Sequence, residues 1–135
     1  MKDCHAQFKY LLAVYELLRS SDKARSVDIA KRLEVSRPSV SKTLKCLADN
    51  GYVSQDFSNE IALTEKGIKK GRELFENYRY VKLFFKKVIK LSENDADDQA
   101  LTFLATFPQE TVRGLSLAMR ETILRQRELR KLSAK

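Results

Sequence analysis

Apolar side chains recur at Phe8, Leu11, Leu12, Tyr15 and Leu18, the i, i+3, i+4 spacing of a helix buried along one face. Ser20-Ser21-Asp22-Lys23 interrupts the pattern. A shorter periodic run, Val27 to Leu33, follows; Ser26 stands where a helix N-cap is expected, and Asp28 lies in the first turn, where the helix dipole favours a carboxylate. Glu34-Val35 makes a tight turn. Ser36 then caps a helix running from Arg37 to about Asp49, with Val40, Leu44 and Leu47 facing inward. Pro38 fits its first turn because amides there have no intrahelical partner. Asn50-Gly51 ends it, glycine being suited to the left-handed position past a helix.

The period then changes. Residues 52–55 and 60–63 read as two short strands around a turn at 56–59, a hairpin. Thr64 is a plausible N-cap for a long helix reaching about Lys90. Ser92 opens another helix through Phe107, and Pro108 separates that from an amphipathic helix ending near Leu132. Helix, short helix, turn, helix, hairpin, helix is the order of a winged helix-turn-helix. The expected fold is therefore mainly α with a small β-hairpin wing: a DNA-binding domain over 1–72 and a helical dimerisation region over 73–135.

Charge adds a partner class. The 135 residues carry a net charge of +8. It is placed unevenly, at +5 over residues 1–72, −1 over 73–107 and +4 over 108–135. Such a surplus attracts polyanions. The exposed positions of the second short helix suit one of them. Short hydroxyls and flexible cations near a helix N-terminus reach phosphates and guanine edges in a major groove. Arg25, Ser36, Arg37, Pro38, Ser39, Ser41, Lys42, Lys45 and Asn59 are the expected contacts to double-stranded DNA. The wing itself, Gln55 to Glu60, carries no cation. Lys23 and Lys66 are the expected auxiliary phosphate contacts.

Other chemistry is thin. The four glycines are isolated, so no phosphate-cradling loop exists, and no nucleophile–base or histidine–carboxylate cluster suggests an enzyme. The N-terminus has no apolar signal core, and no run approaches the roughly 20 apolar residues of a membrane span. A cytoplasmic protein without membrane attachment is expected. Cys4 and Cys46 lack paired spacing and suggest no disulfide framework; Cys46 reads as a small hydrophobe or a thiol sensor. Adjacent Cys4 and His5 offer at most a weak metal site. Asp95, Asp97 and Asp98 read as helix-start carboxylates. Phe75 to Phe85 with Phe103 and Phe107 form an aromatic stripe suited to helix packing, a dimer interface or a ligand pocket. The last helix has a basic outer face and suits packing on its own protein or a twin, with a membrane-surface role as an alternative.

The strings Val35-Ser36-Arg37-Pro38-Ser39-Val40-Ser41-Lys42-Thr43-Leu44, Leu47-Ala48-Asp49-Asn50-Gly51-Tyr52-Val53 and Leu63-Thr64-Glu65-Lys66-Gly67 resemble the diphtheria-toxin-repressor/manganese-repressor family. The likeness extends to about residue 107 and to the short members without an SH3-like domain. It implies a homodimeric repressor gated by manganese or iron. The register of the resemblance puts Lys9, Leu12, Tyr80, Leu101, Leu104 and Ala105 at the family's ligand positions. Transition metals need imidazole, carboxylate or thiolate donors, so no metal cofactor is expected through that site. The expected function is a homodimeric, sequence-specific regulator, repressor activity being part of what the resemblance implies. The alternatives are a winged-helix protein-interaction module with incidental DNA binding, and a metal-dependent repressor using other ligands.

Overall fold

The computed structural model describes residues 6–134. They form six helices: α1 (Gln7–Ser21), α2 (Ser26–Leu33), α3 (Arg37–Asp49), α4 (Glu65–Lys87), α5 (Glu93–Thr106) and α6 (Gln109–Ser133). Two compact units divide within α4, one closing at Phe75 and the other opening at Glu76.

In the first unit α1, α2 and α3 pack against one another. Leu11, Leu12, Val14, Ile29, Val40, Leu44 and Leu47 are fully buried. Each buried side chain of this size contributes on the order of 1.5–3 kcal/mol relative to exposure. Helix α1 runs through the serine pair expected to break it. The Ser20 and Ser21 hydroxyls donate back to carbonyls of Glu16 and Leu17, local bonds that let serines sit in a last helical turn. The chain then reverses at Asp22, in the left-handed region at φ 64°.

Ser26 is not the cap of α2. That position belongs to Arg25, with no side-chain cap bond, and Ser26 is already helical. The Arg25 carbonyl accepts from the amides of Asp28 and Ile29, so the helix is entered one residue earlier. The α2–α3 turn closes with Glu34 left-handed at φ 54°.

The wing differs from expectation more strongly. Among the described residues there are no strands, and the expected hairpin is reduced to one antiparallel bridge, Val53 with Leu63. Thr64 N–H donates to the Tyr52 carbonyl and Ser54 N–H to that of Ala62, which brackets the bridge. Beyond it the bonds go elsewhere. Ile61 N–H donates to the Ala24 carbonyl, the Gln55 side-chain amide donates to the Ala48 carbonyl at 3.1 Å, and the Asp56 carboxylate accepts from the Ser58 hydroxyl at 3.0 Å. Side-chain and loop bonds here replace ladder bonds.

Thr64 does what its position predicts. Its hydroxyl accepts from Gly67 N–H at 3.0 Å and donates to the Gly51 carbonyl at 2.6 Å, fixing the start of α4 against the end of α3. Gly67 has a packing reason: a Cβ there would lie 1.9 Å from the Tyr52 carbonyl oxygen. The Leu-Thr-x-x-Gly string therefore encodes a backbone-on-backbone approach that no larger residue permits.

In the second unit α5 packs on α6 around Ala96, Ala100, Leu101, Leu104, Val112 and Met119. Ser92 caps α5, accepting from Asp95 N–H at 3.2 Å. The aromatic stripe is partly packing: Phe85 meets Phe103 edge-on at 6.1 Å, and Phe103 stacks on Phe107 at 4.3 Å. Between α4 and α5, Lys82 and Lys86 both grip Glu93, while the Tyr78 hydroxyl donates to Asp97. Asp97 is thus a tertiary partner rather than only a helix-start carboxylate. From Arg120 onward α6 is exposed except at Ile123.

Candidate nucleic-acid interface

The geometry of α3 begins at its cap. The Ser36 hydroxyl accepts from Ser39 N–H at 3.3 Å and donates to the Ser39 hydroxyl at 2.9 Å. This settles one otherwise unpaired amide and leaves the rest of the first turn facing solvent. An N-terminus so arranged attracts anions through the helix dipole and the Arg37 amide, Pro38 having no N–H to offer. No carboxylate occupies this first turn to oppose an approaching phosphate.

One face of α3 is anchored by Val40, Leu44, Leu47 and Ala48, all buried. The opposite face carries Arg37, Pro38, Ser39, Ser41, Lys42 and Lys45, every one exposed. Periodicity brings them together: positions 37, 38, 41, 42 and 45 share one side of a 3.6-residue helix. Arg25 and Asn59 are also exposed, Arg25 at the entry to α2 and Asn59 in the wing loop.

The auxiliary cations are engaged elsewhere. Lys66 donates to the Asn50 carbonyl at 2.7 Å and lies 4.5 Å from the Tyr52 ring centroid. It closes the C-terminus of α3, where a cation suits the helix dipole. Lys23 lies 3.8 Å from Glu60 in an exposed pair. Burial pushes the Tyr52 phenol above its ordinary value, with Glu73 adding to the effect.

A buried pair escaped sequence reasoning. The Asn50 side chain donates to Gln7 at 3.0 Å, tying the end of α3 to the start of α1 across 43 positions. An asparagine after a helix reads as a terminator, and nothing local marks its distant partner. Cys46 corrects another expectation: it is buried and disulfide-bonded, not a free thiol. The expected weak metal pair Cys4-His5 lies outside the described residues.

The family's metal positions do not fit a metal. Leu12 and Leu104 are fully buried and Leu101 nearly so, all in apolar packing, and Lys9 would bring a positive charge. Tyr80 and Ala105 complete the set. A divalent transition metal finds no adequate donor set there. Among the described residues no three His, Cys, Asp or Glu side chains converge to hold one. Nor is any described helix long and apolar enough to cross a membrane.

The chain is similar in sequence and fold to known proteins. Residues 7–56 match the family described as iron dependent repressor, N-terminal DNA binding domain. An uncharacterized HTH-type transcriptional regulator of Methanocaldococcus jannaschii is 25% identical over 111 residues, covering 82% of this chain and 89% of that protein. The transcriptional regulator MntR of Escherichia coli is 37% identical over 75 residues, covering 56% of this chain. The chain covers 48% of the length of that MntR. Among solved structures, the manganese regulator SloR superposes with a TM-score of 0.70 at 24% identity, over 87% of this chain and 55% of that one. IdeR of T. acidophilum gives 0.64 at 18% identity, over 85% and 54%. These two likenesses establish the fold.

Proposed function

We propose that this chain, whose residues 7–56 match the iron dependent repressor N-terminal DNA binding domain, is a member of the diphtheria-toxin-repressor/manganese-repressor family and a homodimeric, sequence-specific regulator of transcription that acts without the family's metal switch. The observation that carries the reading is the capped, outward face of α3, where Arg37, Ser39, Ser41, Lys42 and Lys45 stand exposed above a rigid apolar anchor.

In this reading Arg37 and Lys42 reach guanine O6 and N7 in the major groove, and Ser36, Ser39 and Ser41 with the Arg37 amide hold phosphates. Pro38 stiffens the first turn against the backbone. Lys45, Arg25 and Asn59 extend the phosphate contacts to either side. The helical second unit supplies dimerisation, so two α3 helices meet half-sites roughly 34 Å apart on a palindromic operator. The protein works in the cytoplasm and represses. Aliphatic residues at the ligand positions support metal independence.

The test is duplex binding by the full chain. Arg37→Ala with Lys42→Ala is expected to weaken operator binding roughly 30-fold or more, each lost base contact being worth about 1–3 kcal/mol. Wild-type affinity in the double variant would refute the role of α3. A protein-interaction module is the second reading, favoured by a wing loop without a cation between Val53 and Leu63. Duplex affinity that does not fall with salt would favour it, because phosphate contacts release counterions.

A further inference from the structure

The first unit contains a cleft of about 470 Å³ where α1, α2 and α4 meet, lined by Glu16, Leu17, Arg19, Ser20, Arg32 and Phe75. Its lining comes from three separated parts of the sequence. Arg19 lies with its guanidinium 4.3 Å from the Phe75 ring centroid, and Tyr15 backs that ring at 5.9 Å. Arg32, in the last turn of α2, reaches Glu16 of α1 at 3.5 Å. Both side chains of that pair are only about a quarter exposed, at 26% and 23%.

We propose that this cleft binds a small aromatic carboxylate and that the ligand acts as an effector of DNA binding. The inference rests on the reading of the unit as a DNA reader without a metal switch. Two guanidiniums, those of Arg19 and Arg32, line the cleft and offer donors to an incoming carboxylate. Arginine forks suit bidentate carboxylate recognition, and partial burial protects such a pair from solvent screening. Phe75 and Leu17 provide the apolar floor for a ring, and the volume lies in the range of small-molecule sites.

The location supplies the coupling. The Arg32–Glu16 pair ties α2 to α1, and α2 is the helix against which α3 packs. A ligand carboxylate that takes Arg32 competes with Glu16 for it. The tie between α1 and α2 is then exchanged for a ligand-bridged one, and the setting of the helix-turn-helix changes with it.

Benzoate is the probe, titrated into the full chain and followed by amide NMR shifts, with acetate and benzyl alcohol as comparisons. A ligand this small is expected to saturate with a Kd of about 1–10 mM. The shifts should concentrate at residues 16–20, 32 and 75. Arg19→Gln, at the exposed end of α1, and Arg32→Gln should each weaken binding about tenfold, one lost charge-assisted contact's worth. Benzoate should also change operator affinity in the wild type and leave it unchanged in the double variant.

Failure to saturate, equal binding by the double variant, or acetate binding as well as benzoate would each overturn the site as described. Binding with unchanged operator affinity would overturn the effector role. Loss of DNA binding by the ligand-free protein is a separate outcome: it would remove the proposed function and leave benzoate binding to be judged by itself.

Discussion

The outward face of α3 and the set Lys9, Leu12, Tyr80, Leu101, Leu104 and Ala105, which the resemblance to the repressor family places at its ligand positions, differ sharply in chemistry. On α3 the chemistry is intact: a serine cap, an open first turn and five exposed polar or cationic side chains above a buried stripe. At the other set, three of the six positions are leucines, Leu12 and Leu104 fully buried and Leu101 nearly so. In the proposed reading, a surface for DNA is kept while three of the expected ligand positions serve as core. Leucine at such a position bears on the energetics as well as the ligand chemistry, because a leucine in a core stabilises by burial, whereas an unmetallated carboxylate there would be costly.

The sharpest way to break the comparison is at Leu104. If this position is core, Leu104→Ala should lower stability by about 3 kcal/mol, within the 2–5 kcal/mol usual for such truncations. Urea unfolding measures it, and a loss below about 1 kcal/mol would show a site able to accommodate change, as an open ligand cleft would. A smaller effect belongs to the other side of the comparison. Ser36→Ala removes the α3 cap and should cost about 1 kcal/mol of stability. It should also weaken duplex binding by a few-fold, since the first turn loses its anchor. An unchanged melting curve would mean that the cap bond contributes nothing to α3.

The smallest effect concerns the clasp between α4 and α5. Hydrogen bonds from Lys82 and Lys86 hold the Glu93 carboxyl well below its ordinary 4.5, at about 2. A depressed carboxyl contributes stability above its unfolded pKa and loses it as pH falls through the folded one. The clasp should therefore be complete above about pH 5 and weaken between there and pH 2. Glu93 is fully exposed, so solvent screens the pair and the effect on global unfolding is slight. Carboxyl NMR titration reads it directly: an apparent pKa near 4.5 for Glu93 would contradict the clasp, and Glu93→Gln should abolish the transition.

Much of this molecule was legible in its sequence, for reasons that differ from residue to residue. Helix α3 was readable at both ends because its signals are local: a serine cap, a proline in the first turn and Gly51 at φ 82°. Thr64 and Gly67 were readable as a string, and the structure supplies the cause, a backbone contact that only glycine allows. Ser26 misled because a serine before a helix is a cap only if the preceding carbonyl does not begin the helix first. The wing misled because residues 60–63 have strand-like composition, yet the Ile61 N–H donates to the Ala24 carbonyl rather than across a hairpin. Gln7 with Asn50, and Tyr78 with Asp97, are non-local pairs without a sequence signature. The cleft of Arg19, Arg32 and Phe75 was invisible for the same reason: its members lie on three helices.

The most direct test of a DNA reader without the family's metal switch is operator affinity measured twice on the same protein. The operator is first selected from a random duplex library. Binding is then titrated in EDTA and again with manganese(II) or iron(II) at fixed ionic strength, because salt alone shifts such affinities strongly. The account predicts Kd values equal within about twofold, the difference that RT ln 2 allows without any coupled ligand. Binding that appears only with metal would contradict it and restore a switch built from other donors.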